Sequence, residues 1–366
     1  MWGKGQVGLC ADQSHVPQGN ILNNIQALRF YAAFAVVLYH SRKIFTELGC
    51  QGDGFLYWAQ FGNVGVDVFF VISGYVMWHT TCGSARTVAA GAEFLRRRLF
   101  RIYLGYWPFY FLAAAVILVL AERNLDNIYW VKSFLLFNPT IRHQVLGVAW
   151  TLSYELYFYI MFAPMILLAK DYHRKLLGAL FAGVVVINIL TNTHGLRYGF
   201  FINYFLIEFF AGCLLAAYLG GNRSRLLLLF CGVMIVVMTS YAVTLPRMHM
   251  NRIQGFGVAA MFVVLAAVLL ENRRWYIASR LWVFLGNCSY SIYLGHFILI
   301  WIYMYTIRQL DLEVGLVGGY LVYFSYLAVV IGLSAVSYQY LEAPLYKYAL
   351  RNWFSGLSGA RRSAVR

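Results

Sequence analysis

The sequence predicts an all-α protein, a polytopic integral membrane helical bundle of about ten transmembrane helices, on the strength of three observations. The 366 residues are 61% hydrophobic and only 12% charged, with 28 Tyr, 28 Phe and 10 Trp, far from the mix of a water-soluble domain. Apolar runs long enough to cross a bilayer recur from about residue 25 to residue 340 with no long polar interval between them. The basic residues fall mostly in the short loops that separate those runs. A formal charge of +15 would suggest nucleic acid as the partner of a soluble chain. Its placement here assigns it to membrane orientation instead, so the lipid bilayer is the expected partner and nucleic acid is not.

A helix needs about 20 apolar residues to cross the hydrocarbon. Taken in chain order, that length marks spans near 25–41, 61–80, 102–121, 148–169, 176–192, 199–219, 226–245, 254–271, 282–306 and 315–340. Residues 128–137 form an apolar run too short to cross and read as an interfacial or re-entrant piece. The polar residues 1–24 are expected to be a cytoplasmic segment, because no cleavage pattern of a signal peptide follows them. Residues 25–341 then form one membrane domain, and residues 342–366 a cytoplasmic tail. Cys10, Cys50, Cys82, Cys213, Cys231 and Cys288 show neither CxxC spacing nor a partnered His cluster, so no metal site or disulfide framework is signalled.

Alternating the loops across the membrane tests the scheme against the positive-inside bias. Nineteen of the 29 Lys and Arg fall on the side of the N-terminus and nine on the other, with Arg29 inside the first span. Both termini are therefore expected to be cytoplasmic, in a multi-pass protein of the cell (inner) membrane.

Ionisable groups at membrane depth are costly unless they face the bundle interior or a wet cavity, so each is a candidate for function. Arg29 and His40 stand eleven residues apart in span one. Helical geometry puts them about 20° apart around the axis and roughly 16 Å apart along it, on one face at two depths. Asp67 lies about two turns into span two, followed by Ser73 and Gly74; a buried carboxylate needs a partner, and His40 on the neighbouring helix is a plausible one. Span four brings Glu155 to a similar level, with Trp150, Ser153 and Tyr157 beside it. Span nine carries Ser289, Tyr290, Ser291 and Tyr293 in its inner half and His296 near mid-membrane, where a lone His is as often a helix-to-helix hydrogen-bonding partner as a reactive group. Ser73, Gly74 and Ser289 suit close helix packing. No GxSxG elbow, HExxH, Walker loop or GxGxxG occurs, which disfavours those chemistries.

Together these pieces resemble the acyltransferase type 3 family of polytopic membrane O-acyltransferases. The resemblance rests on Arg29 and His40 with ten residues between them, "VGVDVFFVISGY" at 64–75, "RRRLFRIY" at 96–103, "WTLSYELYFY" at 150–159, "CSYSIYLGHF" at 288–297 and "YQYLEAPLYK" at 338–347. The motifs occur in the family's order and cover nearly the whole chain. The departures are Leu104 where the family usually has Pro, Gly295 in place of a common aliphatic residue, and Ile298 where Pro is frequent. No soluble esterase-like domain follows the last span, so the resemblance is to membrane-only members such as those that decorate exopolysaccharides.

The resemblance implies transfer of an acyl group, usually acetyl from acetyl-CoA, to a hydroxyl of a cell-surface carbohydrate or lipid-linked glycan. Arg96, Arg97, Arg98 and Arg101 would then hold the CoA phosphates at a basic cytosolic mouth, with Tyr290 and Ser73 as further donor-side candidates. His40 would act as general base, with Asp67 or Glu155 orienting it. Arg29, Ser153 and Tyr157 are candidate oxyanion donors, and Trp150, Ser153 and Tyr157 candidate acceptor contacts. A covalent acyl-histidine and direct transfer both fit. Two rivals remain: a secondary transporter, disfavoured because the halves share no repeat, and a non-enzymatic scaffold for polysaccharide assembly, which leaves His40 and its acidic neighbours without a purpose.

Overall fold

The computed structural model describes residues 22–50, 54–120, 124–137, 140–167, 170–193, 204–244, 253–276 and 279–352. Most of the expected terminal segments 1–24 and 342–366, with Cys10, and the opening of the sixth expected span lie outside them. The described residues are helical throughout, joined by turns and short irregular stretches, with no strand among them.

The helices are α1 (Asn23–Glu47), α2 (Gly54–Ala59), α3 (Val64–Thr81), α4 (Val88–Leu120), α5 (Trp130–Phe134), α6 (Trp150–Phe162), α7 (Lys170–Thr193), α8 (Phe205–Leu214), α9 (Arg225–Thr244), α10 (Val258–Asn272), α11 (Arg280–Asn287), α12 (Ser289–Gln309) and α13 (Leu316–Ser337). Every one of the ten intervals expected to span contains a helix. Six stretches are long and apolar enough to cross a membrane: Phe55–Thr81, Val88–Leu120, Arg225–Thr244, Gln254–Asn272, Ser289–Gln309 and Leu316–Asn352. Among the other four, α1 carries Arg29, His40, Arg42 and Lys43, α6 gives way to a 3₁₀ turn after thirteen residues, and the apolar stretch Phe205–Leu219 is short.

Two compact units arise from the chain. One comprises Met1–Arg29, Asp67–Glu93 and Ile160–Val283. In it the first turn of α1, whose amides have no intrahelical partner, is capped by the Glu271 carboxylate, which accepts from the Asn23 amide at 3.1 Å and the Asn24 amide at 2.6 Å. Here α3 and α8 meet through glycines: a Cβ on Gly74 would lie 1.9 Å from the Phe209 carbonyl oxygen, and one on Gly212 would lie 2.1 Å from that of Val71. Gly74 is thus a packing residue, as its sequence context suggested. Ser73 and the wholly buried Asp67 belong to this unit, as does the half-buried Arg29 on the unbroken α1.

The other unit comprises Phe30–Val66, Phe94–Tyr159 and Phe284–Arg366. Gly62 and Gly65 let the approach to α3 touch the α1 backbone, since a Cβ at either would fall about 2 Å from the carbonyl oxygen of Ala35 or Ala32. The short run expected to be re-entrant folds as α5 and is strapped to one face of α4. Tyr103, Tyr106, Trp107 and Tyr110 donate to the carbonyls of Leu135, Ser133, Phe134 and Trp130 at 2.9, 2.9, 3.3 and 3.1 Å. Irregular backbone is tolerated at membrane depth only where protein satisfies its polar groups, and these four donors do so. The chain then runs through the fully buried Gln144–Ala149 into α6.

Candidate active site

The residues with chemistry gather in the second unit, on three helices whose facing sides the sequence partly marks. On α4, Phe94, Arg98, Arg101 and Gly105 recur at helical spacing on the face opposite the tyrosine strap. On α12, Ser289, Tyr293 and His296 share a second face, and α1 supplies His40.

His40 and His296 are in hydrogen-bond contact, His40 Nδ1 to His296 Nε2, at 3.2 Å. Each Nδ1 also lies 3.1 Å from the carbonyl oxygen one turn earlier on its own helix, Val36 for His40 and Ile292 for His296. A carbonyl only accepts, so both Nδ1 atoms carry the proton; this tautomer assignment follows from the acceptors present. His296 Nε2 is then a bare acceptor, and the His40 Nδ1 proton is shared between it and Val36. His40 Nε2 keeps its lone pair with no protein partner among the described residues. His296 is wholly buried. His40 is half-buried and keeps part of its surface open. Phe297 and Tyr39 stand edge-on to its ring at 5.3 and 4.9 Å between centroids. Tyr326 donates to the His296 carbonyl at 3.0 Å, and Tyr293 donates to the Val148 carbonyl at 3.2 Å while accepting from Thr151 at 3.1 Å. Between them α12 is fixed to α13 and to the start of α6.

A second cluster surrounds Arg101. Its electrostatic neighbours are Tyr159, Glu342, Tyr346 and Glu155, and Tyr159 donates to the Glu155 carboxylate. The Arg98 guanidinium lies 5.6 Å from the ring centres of both Phe94 and Tyr159. Glu342 accepts from Ser291 at 2.9 Å, and Tyr290 donates to the Ile102 carbonyl at 2.9 Å, its ring filling the space left by Gly105. Arg101 is itself exposed on α4.

The expected partnership of His40 with a carboxylate is not what the structure builds. No acid stands among the groups that touch or act on His40, which are His296, Val36, Arg42, Lys43 and the neighbouring rings. Glu155 faces α4, because Tyr159 one turn further on shares its side of α6 and meets Arg98 there. Arg97 is exposed and Arg96 half-buried on α4. Trp150 is half-buried with its ring edge-on to Tyr154 at 5.7 Å, Tyr157 is half-buried, and the Ser153 hydroxyl is buried without a hydrogen bond. Sequence reasoning left His296 and Tyr159 out of the site; the signal for the first was a second imidazole near mid-membrane.

The sequence profile of a family described as an acyltransferase domain matches residues 22–339. The chain is 27% identical over 315 residues to the exopolysaccharide production protein ExoZ of Rhizobium meliloti (strain 1021), covering 81% of this chain and 94% of that one. It is 27% identical over 322 residues to the acyltransferase MdmB of Streptomyces mycarofaciens, covering 76% of this chain and 79% of MdmB. The O-acetyltransferase OatA of Staphylococcus aureus (strain NCTC 8325 / PS 47) is 23% identical over 366 residues, a match that takes in 89% of this chain but only 57% of OatA. No solved structure matches. With a profile match that runs from the start of α1 to beyond α13 and takes in His40, His296, Arg98, Arg101, Glu155 and Tyr159, this chain belongs to the acyltransferase type 3 family of membrane acyltransferases.

Proposed function

We propose that this protein moves an acyl group, acetyl by preference, from cytosolic acyl-CoA to a hydroxyl of a cell-surface carbohydrate or lipid-linked glycan, with His40 as general base. The observation that carries the reading is a partly open imidazole whose Nδ1 is anchored and whose Nε2 lone pair is uncommitted. In direct transfer the acceptor hydroxyl gives its proton to that Nε2, the oxygen forms a bond to the acyl carbon, the carbon–sulfur bond breaks, and the proton passes on to the departing thiolate. A positioned imidazole contributes on the order of 10² to 10⁴ in rate to such a step. Arg98 and Arg101 are suited to the donor's phosphates, because a guanidinium fork matches phosphate oxygens. The name of ExoZ points to exopolysaccharide and that of OatA to O-acetyl transfer, and together they support a polysaccharide acceptor. Ten crossings with both termini in the cytosol fit the loop charges and would place the arginines on the CoA side.

The test is transfer from radiolabelled acetyl-CoA to the cell's own surface polysaccharide after mild alkaline removal of its esters. Wild type should label it, while His40→Ala, folded to the same melting temperature, should lose at least about 10²-fold in rate. Full activity in a folded His40→Ala protein would refute the reading.

A further inference from the structure

His296 has no surface through which to meet a substrate, yet both of its ring nitrogens are engaged. We propose that His296 is a positioning residue: a neutral imidazole that takes the place a carboxylate holds in a triad, orients the ring of His40 and, together with the Val36 carbonyl, keeps the proton on Nδ1 so that Nε2 is left to accept one. The inference rests on the reading of His40 as base.

Three features argue for it. The Ile292 carbonyl holds the proton on His296 Nδ1, so Nε2 is compelled to accept. That Nε2 accepts from His40 Nδ1, as the Val36 carbonyl does, so the two acceptors together fix the ring and hold the tautomer with a bare Nε2. The carbonyl of His296 is itself bound by the Tyr326 hydroxyl, so the ring's helix is held in register with α13. A residue that only fills space would not need its ring oriented at both nitrogens. When His40 Nε2 takes the acceptor's proton, the positive charge is shared along the Nδ1–H···Nε2 contact with His296, and it disappears when the proton goes to the thiolate. Neither imidazole changes over a full cycle. The other charged groups acting on His40, Arg42 and Lys43, are cations on its own helix and cannot take this part.

The substitution series separates orientation from packing. A Gln side chain brings an amide oxygen to the position of Nε2; Asn places its amide at the position of Nδ1 and cannot reach His40; Leu fills space and accepts nothing. With acetyl-CoA and de-esterified surface polysaccharide as substrates, His296→Gln should stay within about 10-fold of wild-type kcat. His296→Asn and His296→Leu should lose on the order of 10²-fold, with the KM for acetyl-CoA unchanged. If Leu does not fold, as judged by its melting temperature in detergent, the Gln and Asn pair carries the comparison. A folded His296→Asn or His296→Leu as active as His296→Gln, beside an inactive His40→Ala, would overturn the role of His296 and leave His40 as base. An active His40→Ala would overturn both.

Discussion

Replacing Arg101 by Gln removes an exposed guanidinium whose electrostatic neighbours are two carboxylates and two phenols. Its neighbours Glu155 and Glu342 still accept from Tyr159 and Ser291 but lose a nearby cation, so folding is followed beside the kinetics. A guanidinium–phosphate contact is a charge-assisted hydrogen bond to an ionised group, a class that contributes about 1.5 to 3 kcal/mol. At 1.4 kcal/mol per decade, Arg101→Gln should raise the KM for acetyl-CoA by about 10- to 150-fold. Lys keeps the charge but not the planar fork, so Arg101→Lys should fall between wild type and Gln. The acceptor KM should not move in either variant. The assay is initial-rate acetyl transfer in detergent micelles across a range of acetyl-CoA concentrations, with melting temperature as the folding control. A donor KM unchanged in folded Arg101→Gln would remove Arg101 from the donor site and sever the link between the α4 face and CoA.

Gly65→Ala should destabilise by about 1 to 3 kcal/mol, because its Cβ would lie 2.1 Å from a backbone oxygen of Ala32 that cannot swing aside. Gly178→Ala, with nothing within 4 Å, should be neutral or stabilising by up to about 1 kcal/mol, and thermal unfolding in detergent compares the two. Glu47 at the end of α1 pairs with Arg308, whose hydrogen bond holds the Glu47 carboxyl below its ordinary value. A depressed folded-state value means this pair's stabilisation is present above the ordinary carboxylate range and is lost as pH falls below it. The side chains are 44% and 22% exposed, so the contribution is under about 1 kcal/mol. Melting curves of wild type and Glu47→Gln should therefore differ slightly at pH 7 and converge at low pH; a constant gap would count against the pairing.

Helix positions were legible because a bilayer-length apolar run has few other uses. The reading of residues 128–137 as a run too short to cross was legible too, and the five-residue α5 lies within it. The resemblance gathered Arg96, Arg97, Arg98 and Arg101 at one mouth, and of these the structure sets Arg98 and Arg101 in one cluster. Spacing fixes a residue's face and depth on its own helix, but it says nothing of which faces meet. Asp67 or Glu155 was expected to orient His40 because both reach its depth, and Glu155 is instead bound by Tyr159 on its own helix and acts on Arg101 of α4. The tyrosine strap escaped for a related reason. Tyr103, Tyr106 and Tyr110 looked like members of an aromatic-rich membrane helix, and only the nearby carbonyls of α5 reveal that their hydroxyls are needed.

The separation of carboxylates from the His pair has a physical logic. An ionised carboxylate in a poorly solvated interior must be compensated by a cation or by several donors. The structure obeys this at four acids: Glu47 meets Arg308, Glu271 takes two backbone amides, Glu155 takes the Tyr159 hydroxyl, and Glu342 takes the Ser291 hydroxyl, the last two near Arg101. A carboxylate against His40 would need such compensation at the point where the acceptor must enter. A neutral imidazole orients His40 with a single lone pair and carries no charge in the resting state, so it needs no counter-ion there. Arg98 and Arg101 stand instead in the other cluster, beside Tyr159, Glu155 and Glu342.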